Sequence, residues 1–144
     1  MTPVWWTAPT AGDIVWCHFP DGIDGRPKPR PALTLTVYED DAPQFHVEIA
    51  YGTSQRTTTL YSGEFSILRA RNPAAYQAAG LSYDTKFDLK QTIELPYTTD
   101  WFSVPPAAQH GQTPKLGTLH PSLVPAVQAA YSASTPSAGS RSGS

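Results

Sequence analysis

The chain has 144 residues, which suits one domain and is too short for two ordinary ones. Its formal net charge of −2 argues against a protein that coats nucleic acid through a bulk positive field. Fifteen Pro and ten Gly favour short segments joined by turns over a bundle of long helices. Cys17 is the single cysteine, so an intrachain disulfide is excluded, and no run approaches the roughly 18 apolar residues of a membrane helix. We therefore expect a cytoplasmic protein.

The first part of the chain predicts an irregular arm followed by a strand. Residues 1–10 form the arm, which packs its adjacent indoles, Trp5 and Trp6, either on the chain's own core or on a partner. Residues 13–19 alternate as a strand that is apolar on both faces, as in a barrel, and Cys17 within it is expected to be an inert core residue. Residues 19–29 form a long Gly/Pro/Asp-rich loop, typical of a functional flap.

Several short strands are predicted next. Residues 31–38 and 45–52 form the second and third strands, separated by a charged turn at residues 39–43. Residues 57–61 and 64–68 are expected to add further edge strands. Short strands spaced by turns favour a mainly β fold, a small and partly closed antiparallel barrel.

The rest of the chain mixes helix signals with strands. In residues 72–80, Asn72 is the expected N-cap, Pro follows at the first position, and Gly80 ends a short helix. Residues 86–89 and 91–95 return to strand character, and residues 97–118 are expected to be a loop anchored by aromatic side chains.

A C-terminal helix is predicted over residues 122–131. Ser122 is its expected N-cap and Pro125 lies in the first turn, where a missing N–H is tolerated. Four residues are expected to share one of its faces: Leu123, Val127, Ala130 and Tyr131. Residues 132–144 are small and polar, which predicts a disordered tail.

Arg30 and Thr53 are the pair that suggests chemistry. Arg30 directly precedes the second strand, and Thr53 directly follows the third. If the two strands are neighbours in an antiparallel sheet, the guanidinium and the hydroxyl meet at one edge. An arginine there neutralises the charge of a phosphodiester, and a threonine hydroxyl orients the phosphate or the attacking group. The pair therefore points to RNA.

Three motifs carry a resemblance to a known family. They are Gly-Asp-hydrophobic at Gly12 and Asp13, Arg-Pro-hydrophobic at Arg30 and Pro31, and the strand-end Thr53. With these three motifs in this order, the chain resembles the MazF/PemK family, the toxin component of type II toxin–antitoxin systems. The resemblance covers about residues 11–131, and residues 62–84 look like an expansion of the family pattern.

The resemblance implies a fold and an activity. The fold is a small SH3-like antiparallel β-barrel of the MazF/PemK/CcdB-like kind, with short helices and a C-terminal helix. The activity is an mRNA interferase, a metal-independent endoribonuclease that cleaves single-stranded RNA by attack of the 2′-hydroxyl. The implied partners are a cognate antitoxin protein and a second copy of the chain in a homodimer, and no cofactor is expected.

The expected site residues fall into three groups. Arg30 and Thr53 are the expected catalytic residues, and His18 is a candidate acid or base, with His46 and Glu48 as weaker ones. RNA contacts are expected from five further residues: Arg26, Lys28, Ser54, Gln55 and Arg56. No metal site is expected, because the four histidines show neither an i, i+4 pair nor cysteine partners.

A non-catalytic protein is the alternative interpretation. The same barrel also serves binding proteins without chemistry, including toxins that grip DNA gyrase. In that case the Trp5-Trp6 arm and the loop with Trp101 and Phe102 are the expected contact surface, and the chain is a degenerate toxin or a partner-binding module.

Overall fold

The computed structural model describes residues 4–19, 28–39, 43–106 and 108–134. Its six strands are β1 Asp13–Phe19, β2 Lys28–Tyr38, β3 His46–Thr53, β4 Glu64–Ile67, β5 Thr85–Pro96 and β6 Lys115–Thr118. Helix α1, Pro73–Ala78, lies between β4 and β5, and a 3-10 turn, Pro121–Leu123, leads into helix α2, Val124–Ser134. Within these ranges neither helix has the length and apolar character needed to cross a membrane.

All six strands belong to one antiparallel sheet in the order β4-β5-β3-β2-β1-β6. The sheet curls into a half-barrel. Register shifts interrupt the ladders between β2 and β3, between β3 and β5, and between β1 and β6, and such bulges increase the local twist and bend the sheet. The predicted mainly β, antiparallel and barrel-like architecture is confirmed at this level.

Each face of the sheet carries its own hydrophobic core, because successive side chains of a strand point to opposite faces. Ile14 belongs to the core that α1 and α2 cover, whereas Val15 and Cys17 belong to the core on the other face. The helix-side core contains Leu33, Phe65, Ile67, Phe87, Leu123 and Ala130, and the arm-side core contains Ala32, Val47, Ile49, Leu95, Tyr97 and Phe102. The prediction of an inert Cys17 agrees with its complete burial, which raises the pKa of its thiol.

The N-terminal arm packs on the chain's own core, the first of the two alternatives. The backbone N–H of Trp6 donates to the carbonyl of Tyr97 at 3.0 Å, and the indole of Trp6 packs against the arm-side core. Trp5 meets the ring of His46 edge-on at 5.7 Å between centroids.

The loop with Trp101 and Phe102 was the other part of the alternative contact surface. Phe102 is 0% exposed, so this prediction is wrong for that residue.

The edge strand predicted over residues 57–61 is wrong. Arg56 has a positive φ of 53°, and the N–H of Thr59 donates back to the carbonyl of Arg56 at 3.1 Å, so the chain turns here. The β-branched threonines favour a strand, but residues 57–61 pair with no strand, and β4 is the edge strand that pairs with β5. The strand predicted over residues 64–68 is confirmed as β4.

The last strands also differ from the prediction. The two segments at residues 86–89 and 91–95 are parts of one continuous strand, β5. Strand β6 lies inside the predicted loop of residues 97–118. Its sequence is only four residues long and contains Gly117, so its strand signal is weak, and its position depends on pairing with β1.

The helix ends follow the predicted signals only in part. Pro73 begins α1, and Gly80, with φ +71°, follows the end of the helix, both as predicted. Asn72 makes no side-chain cap, because its Oδ1 accepts from the N–H of Leu68 instead. At the second helix, Ser122 is not the N-cap: the imidazole of His120 accepts from the N–H of Ser122 at 3.1 Å.

Helix α2 also extends beyond its predicted end. It continues to Ser134, three residues into the predicted tail, and residues 135–144 lie outside the described residues. Of the four residues predicted to share one face, Leu123 and Ala130 are buried, Val127 packs partly buried against the helix-side core, and Tyr131 is 51% exposed.

Gly117 lets α1 pack directly on β6, and its replacement is expected to destabilise the fold. A Cβ at this position would collide with the backbone carbonyl of Ala78, which cannot move without shifting the helix. We expect Gly117→Ala to lower the free energy of unfolding by about 2 kcal/mol or more, measured by urea denaturation. Thr118→Ala, at an exposed neighbour, is the control and should cost little; equal stability of the two variants would contradict the close packing.

Candidate functional site

Arg30 and Thr53 lie at the same end of two neighbouring strands. The antiparallel pairing of β2 with β3 includes Ala32 opposite Tyr51. Arg30 lies two residues before Ala32 on β2, and Thr53 lies two residues after Tyr51 on β3. Both are therefore on the same face of the sheet as that pair. The guanidinium of Arg30 lies over the ring of Tyr51, 5.8 Å from its centroid. The strands that carry the pair are therefore adjacent, as predicted, and the arginine leans across toward β3.

Both residues line one depression in the surface, which we call the strand-end cleft. Its volume is about 890 Å³. It lies where β2 begins and β3 ends, and its other walls come from α1 with the loop to β5 and from the segment that leads into β6. Its lining residues include Pro29, Arg30, Pro31, Thr53, Ser54 and Gln55 from the strand ends, Trp16 from β1, Arg69, Tyr76, Gln77, Ser82 and Tyr83 around α1, and Pro105, Gln109 and Leu116 from β6 and the segment before it.

The described lining of the strand-end cleft carries positive charge, although the whole chain is slightly acidic. Among the described lining residues, Arg30 and Arg69 carry charge and no Asp or Glu is present. The formal net charge of the chain is −2. A concave surface lined by one sign of charge concentrates ligands of the opposite sign. The cleft therefore suits an anion.

Thr53, a residue of the cleft lining, accepts a hydrogen bond in the turn that follows β3. The Oγ1 of Thr53 accepts from the N–H of Gln55 at 3.2 Å, which folds the chain back directly after β3. Because the oxygen is the acceptor in this bond, the hydroxyl keeps its hydrogen for donation to a ligand. Gly52 sits so close to Thr85 of β5 and to the carbonyl of Pro31 that a larger residue would push β3 away from both.

The structure places only some of the five residues that were predicted to contact RNA in the strand-end cleft. Ser54 and Gln55 line the strand-end cleft beside Thr53. Arg56 is exposed and is not among the lining residues. Arg26 lies outside the described residues, and so does the side chain of Lys28, whose backbone begins β2.

The candidate acids and bases are not among the described residues that line the cleft. The Nε2 of His18 is hydrogen-bonded to the hydroxyl of Ser103, and His18 does not line the cleft, although its cross-strand neighbour Pro29 does. His46 packs against Trp5, and a carboxylate oxygen of Glu48 accepts from the hydroxyl of Thr36 at 3.1 Å. The structure thus does not place His18, His46 or Glu48 in the cleft lining with Arg30 and Thr53.

His18 is expected to make stability depend on pH. Burial lowers the pKa of His18 below its ordinary value of 6.5, so the unfolded chain binds this proton more readily than the folded chain. The free energy of unfolding should therefore fall as the pH drops below about 6.5, and His18→Gln should reduce that fall. Urea denaturation of both proteins at pH 7.5 and pH 5.5 measures the difference; identical pH dependence would show that His18 does not contribute.

Sequence reasoning missed the wall around α1. Arg69, Tyr76, Gln77 and Tyr83 line the strand-end cleft, yet their segment showed only a helix signal and an apparent expansion. Tyr83, an aromatic residue three positions before a predicted strand, was the available signal. Trp16, the partner of Pro31 on the neighbouring strand, was predicted as a strand residue and also lines the cleft.

Within the described part of the chain, no three His, Cys, Asp or Glu side chains are grouped as metal ligands would be. No protein-family model matches the sequence, and no curated protein matches it. The resemblance to the MazF/PemK family therefore stays a hypothesis that depends on the three motifs.

Proposed function

We propose that this chain is a metal-independent endoribonuclease that cleaves single-stranded RNA in the strand-end cleft. The observation that carries the proposal is the placement of Arg30 and Thr53 at adjacent strand ends, in one cleft lined by two arginines and, in the described ranges, no carboxylate. The motif resemblance to MazF/PemK toxins and the curled antiparallel sheet with a C-terminal helix support the same assignment.

The proposed reaction uses the RNA's own 2′-hydroxyl as the nucleophile. Its oxygen attacks the adjacent phosphorus and loses its proton, the bond from phosphorus to the 5′-oxygen breaks, and the departing 5′-oxygen takes up a proton. The products are a 2′,3′-cyclic phosphate and a 5′-hydroxyl. Arg30 neutralises the charge that grows on the phosphoryl oxygens, and Thr53 donates its hydroxyl hydrogen to hold the phosphate in line.

Proton transfer in this proposal runs through solvent. Of the described residues that line the cleft, none is a His, Asp or Glu. Alignment and charge stabilisation then supply the rate enhancement. The cleavage rate should rise with pH through neutrality without the inflection that a catalytic histidine produces.

The biological part of the proposal comes from the resemblance. The chain is proposed to be the toxin of a toxin–antitoxin pair, with an SH3-like barrel, acting on mRNA in the cytoplasm. It is proposed to work as a homodimer and to be neutralised by a cognate antitoxin protein.

The experiment that tests the activity is cleavage of a mixed-sequence RNA in the presence of EDTA, with mapping of the new ends. We expect cyclic phosphate and 5′-hydroxyl ends, and no cleavage of the same RNA when its 2′-hydroxyls are methylated. Thr53→Ala should slow cleavage, whereas Thr58→Ala, at an exposed threonine outside the cleft lining, should not. Cleavage of the methylated RNA would overturn the mechanism.

A non-catalytic binding protein is the second candidate. The absence of an imidazole or carboxylate from the described cleft lining favours it, because binding needs no proton transfer. Of its predicted contact residues, Phe102 is fully buried, so the strand-end cleft is the better contact surface. Wild-type protein that binds RNA and leaves it intact would establish this candidate in place of the nuclease.

A further inference from the structure

Tyr83 is a large aromatic side chain that the fold leaves exposed at the wall of the strand-end cleft. It is 73% exposed and is among the cleft-lining residues. Its backbone is nevertheless held in place, because the hydroxyl of Thr85 donates to the carbonyl of Tyr83 at 2.8 Å, and Thr85 is itself buried. An exposed ring on a fixed backbone is a preformed surface for a flat ligand.

Asp84, the residue after Tyr83, connects the same loop to the segment before α1. The carboxylate of Asp84 accepts from the backbone N–H of Arg69 at 2.7 Å. This bond joins the loop after α1 to the segment before it, so Arg69 and Tyr83 are presented from one closed unit. The side chain of Arg69 is exposed and lines the cleft together with Tyr83.

Two glycines fix that unit against β6. Gly80 adopts φ +71°, and a Cβ there would collide with the carbonyl of Leu116, while Gly117 lies against the carbonyl of Ala78. The backbones of α1 and β6 therefore touch directly, without intervening side chains.

We propose that this wall is a base-binding subsite for a nucleotide next to the cleaved linkage. Tyr83 stacks on the base, Gln77 reads its polar edge, and Arg69 binds a neighbouring phosphate. This inference rests on the proposed function, because the RNA that Arg30 and Thr53 bind would make its second contact with the protein here.

The chemistry of the wall selects a single strand. A tyrosine ring can stack on a base only when that base is unpaired and unstacked from its neighbours, as in single-stranded RNA. Arginine provides planar donors for phosphate oxygens, and a glutamine amide provides one donor group and one acceptor for a base edge. A paired duplex presents its phosphates but not the faces of its bases.

Binding of a fluorescein-labelled, fully 2′-O-methylated RNA oligonucleotide tests the subsite, because this RNA cannot be cleaved. We expect Tyr83→Ala to weaken binding about 5- to 150-fold, the range of one lost stacking contact, as measured by fluorescence anisotropy. Tyr83→Phe keeps the ring and should bind like the wild type. Tyr61→Ala removes an exposed tyrosine outside the cleft lining and should leave binding unchanged.

The outcomes separate this inference from the proposed function. If wild type cleaves RNA and Tyr83→Ala binds as tightly as wild type, the subsite is wrong and the nuclease stands. Equal losses in Tyr83→Phe and Tyr83→Ala would contradict stacking, and so would competition by duplex RNA as effective as by single strands. If wild type neither binds nor cleaves RNA, the proposed function fails and the subsite fails with it.

Discussion

Replacing Arg30 by alanine is expected to slow RNA cleavage by about 100- to 1,000-fold, the usual effect of removing one preorganised donor from a site where negative charge develops. Arg30 lines the strand-end cleft from the start of β2, and its fixed positive charge does not depend on pH in the working range. The loss should appear in the single-turnover rate at saturating protein, because the charge it stabilises is greatest in the transition state.

Two variants make the Arg30 result interpretable. Arg30→Lys keeps a point charge but loses the planar fork of donors, so it should recover only part of the rate. Arg71→Ala removes an exposed arginine outside the cleft lining and should cleave like the wild type. Unchanged cleavage in Arg30→Ala, or equal loss in Arg71→Ala, would contradict a specific role for Arg30.

Phe87→Ala is expected to lower the free energy of unfolding by about 3–5 kcal/mol, the usual cost of emptying a large aromatic site in a core. Phe87 is 0% exposed in the helix-side core, and its ring stacks on Phe65 with 5.2 Å between centroids. Strand β5 places it opposite Gly52 of β3, directly before Thr53. Its removal therefore leaves a cavity beneath the strand end that carries Thr53.

Urea denaturation measures the Phe87 effect, and Phe87→Leu is its control. Leucine fills part of the site, so the loss should be smaller than with alanine. A domain stability of about 5–15 kcal/mol is typical, so the alanine variant should lose a large part of it. An alanine variant as stable as the wild type would contradict the placement of Phe87 in the core.

The strands were predictable where their side chains alternate over a long enough run. β1, β2 and β3 each contain apolar residues on both faces, and the structure buries them in two cores. β6 was missed because four residues containing Gly117 carry little local signal. Residues 57–61 were assigned wrongly because β-propensity does not take pairing between strands into account.

The strand-end part of the site was predictable and the rest was not. Arg30 and Thr53 depend only on two adjacent strands, which the sequence pattern indicates. Tyr83 and Arg69 reach the cleft because α1 packs on β6 through Gly80 and Gly117, a tertiary contact with no local signature. His18 was proposed as an acid or base because of its strand position, but its partner Ser103 lies 85 residues further along the chain.

A double-mutant cycle tests most directly whether Arg30 and Thr53 act on one phosphodiester. Single-turnover cleavage would be measured for wild type, Arg30→Ala, Thr53→Ala and the double variant, with saturating protein in EDTA. Because groups that stabilise the same transition state are not additive, the double variant should cleave little more slowly than Arg30→Ala alone. Two independent losses that multiply in the double variant, or cleavage that neither substitution affects, would contradict a shared site.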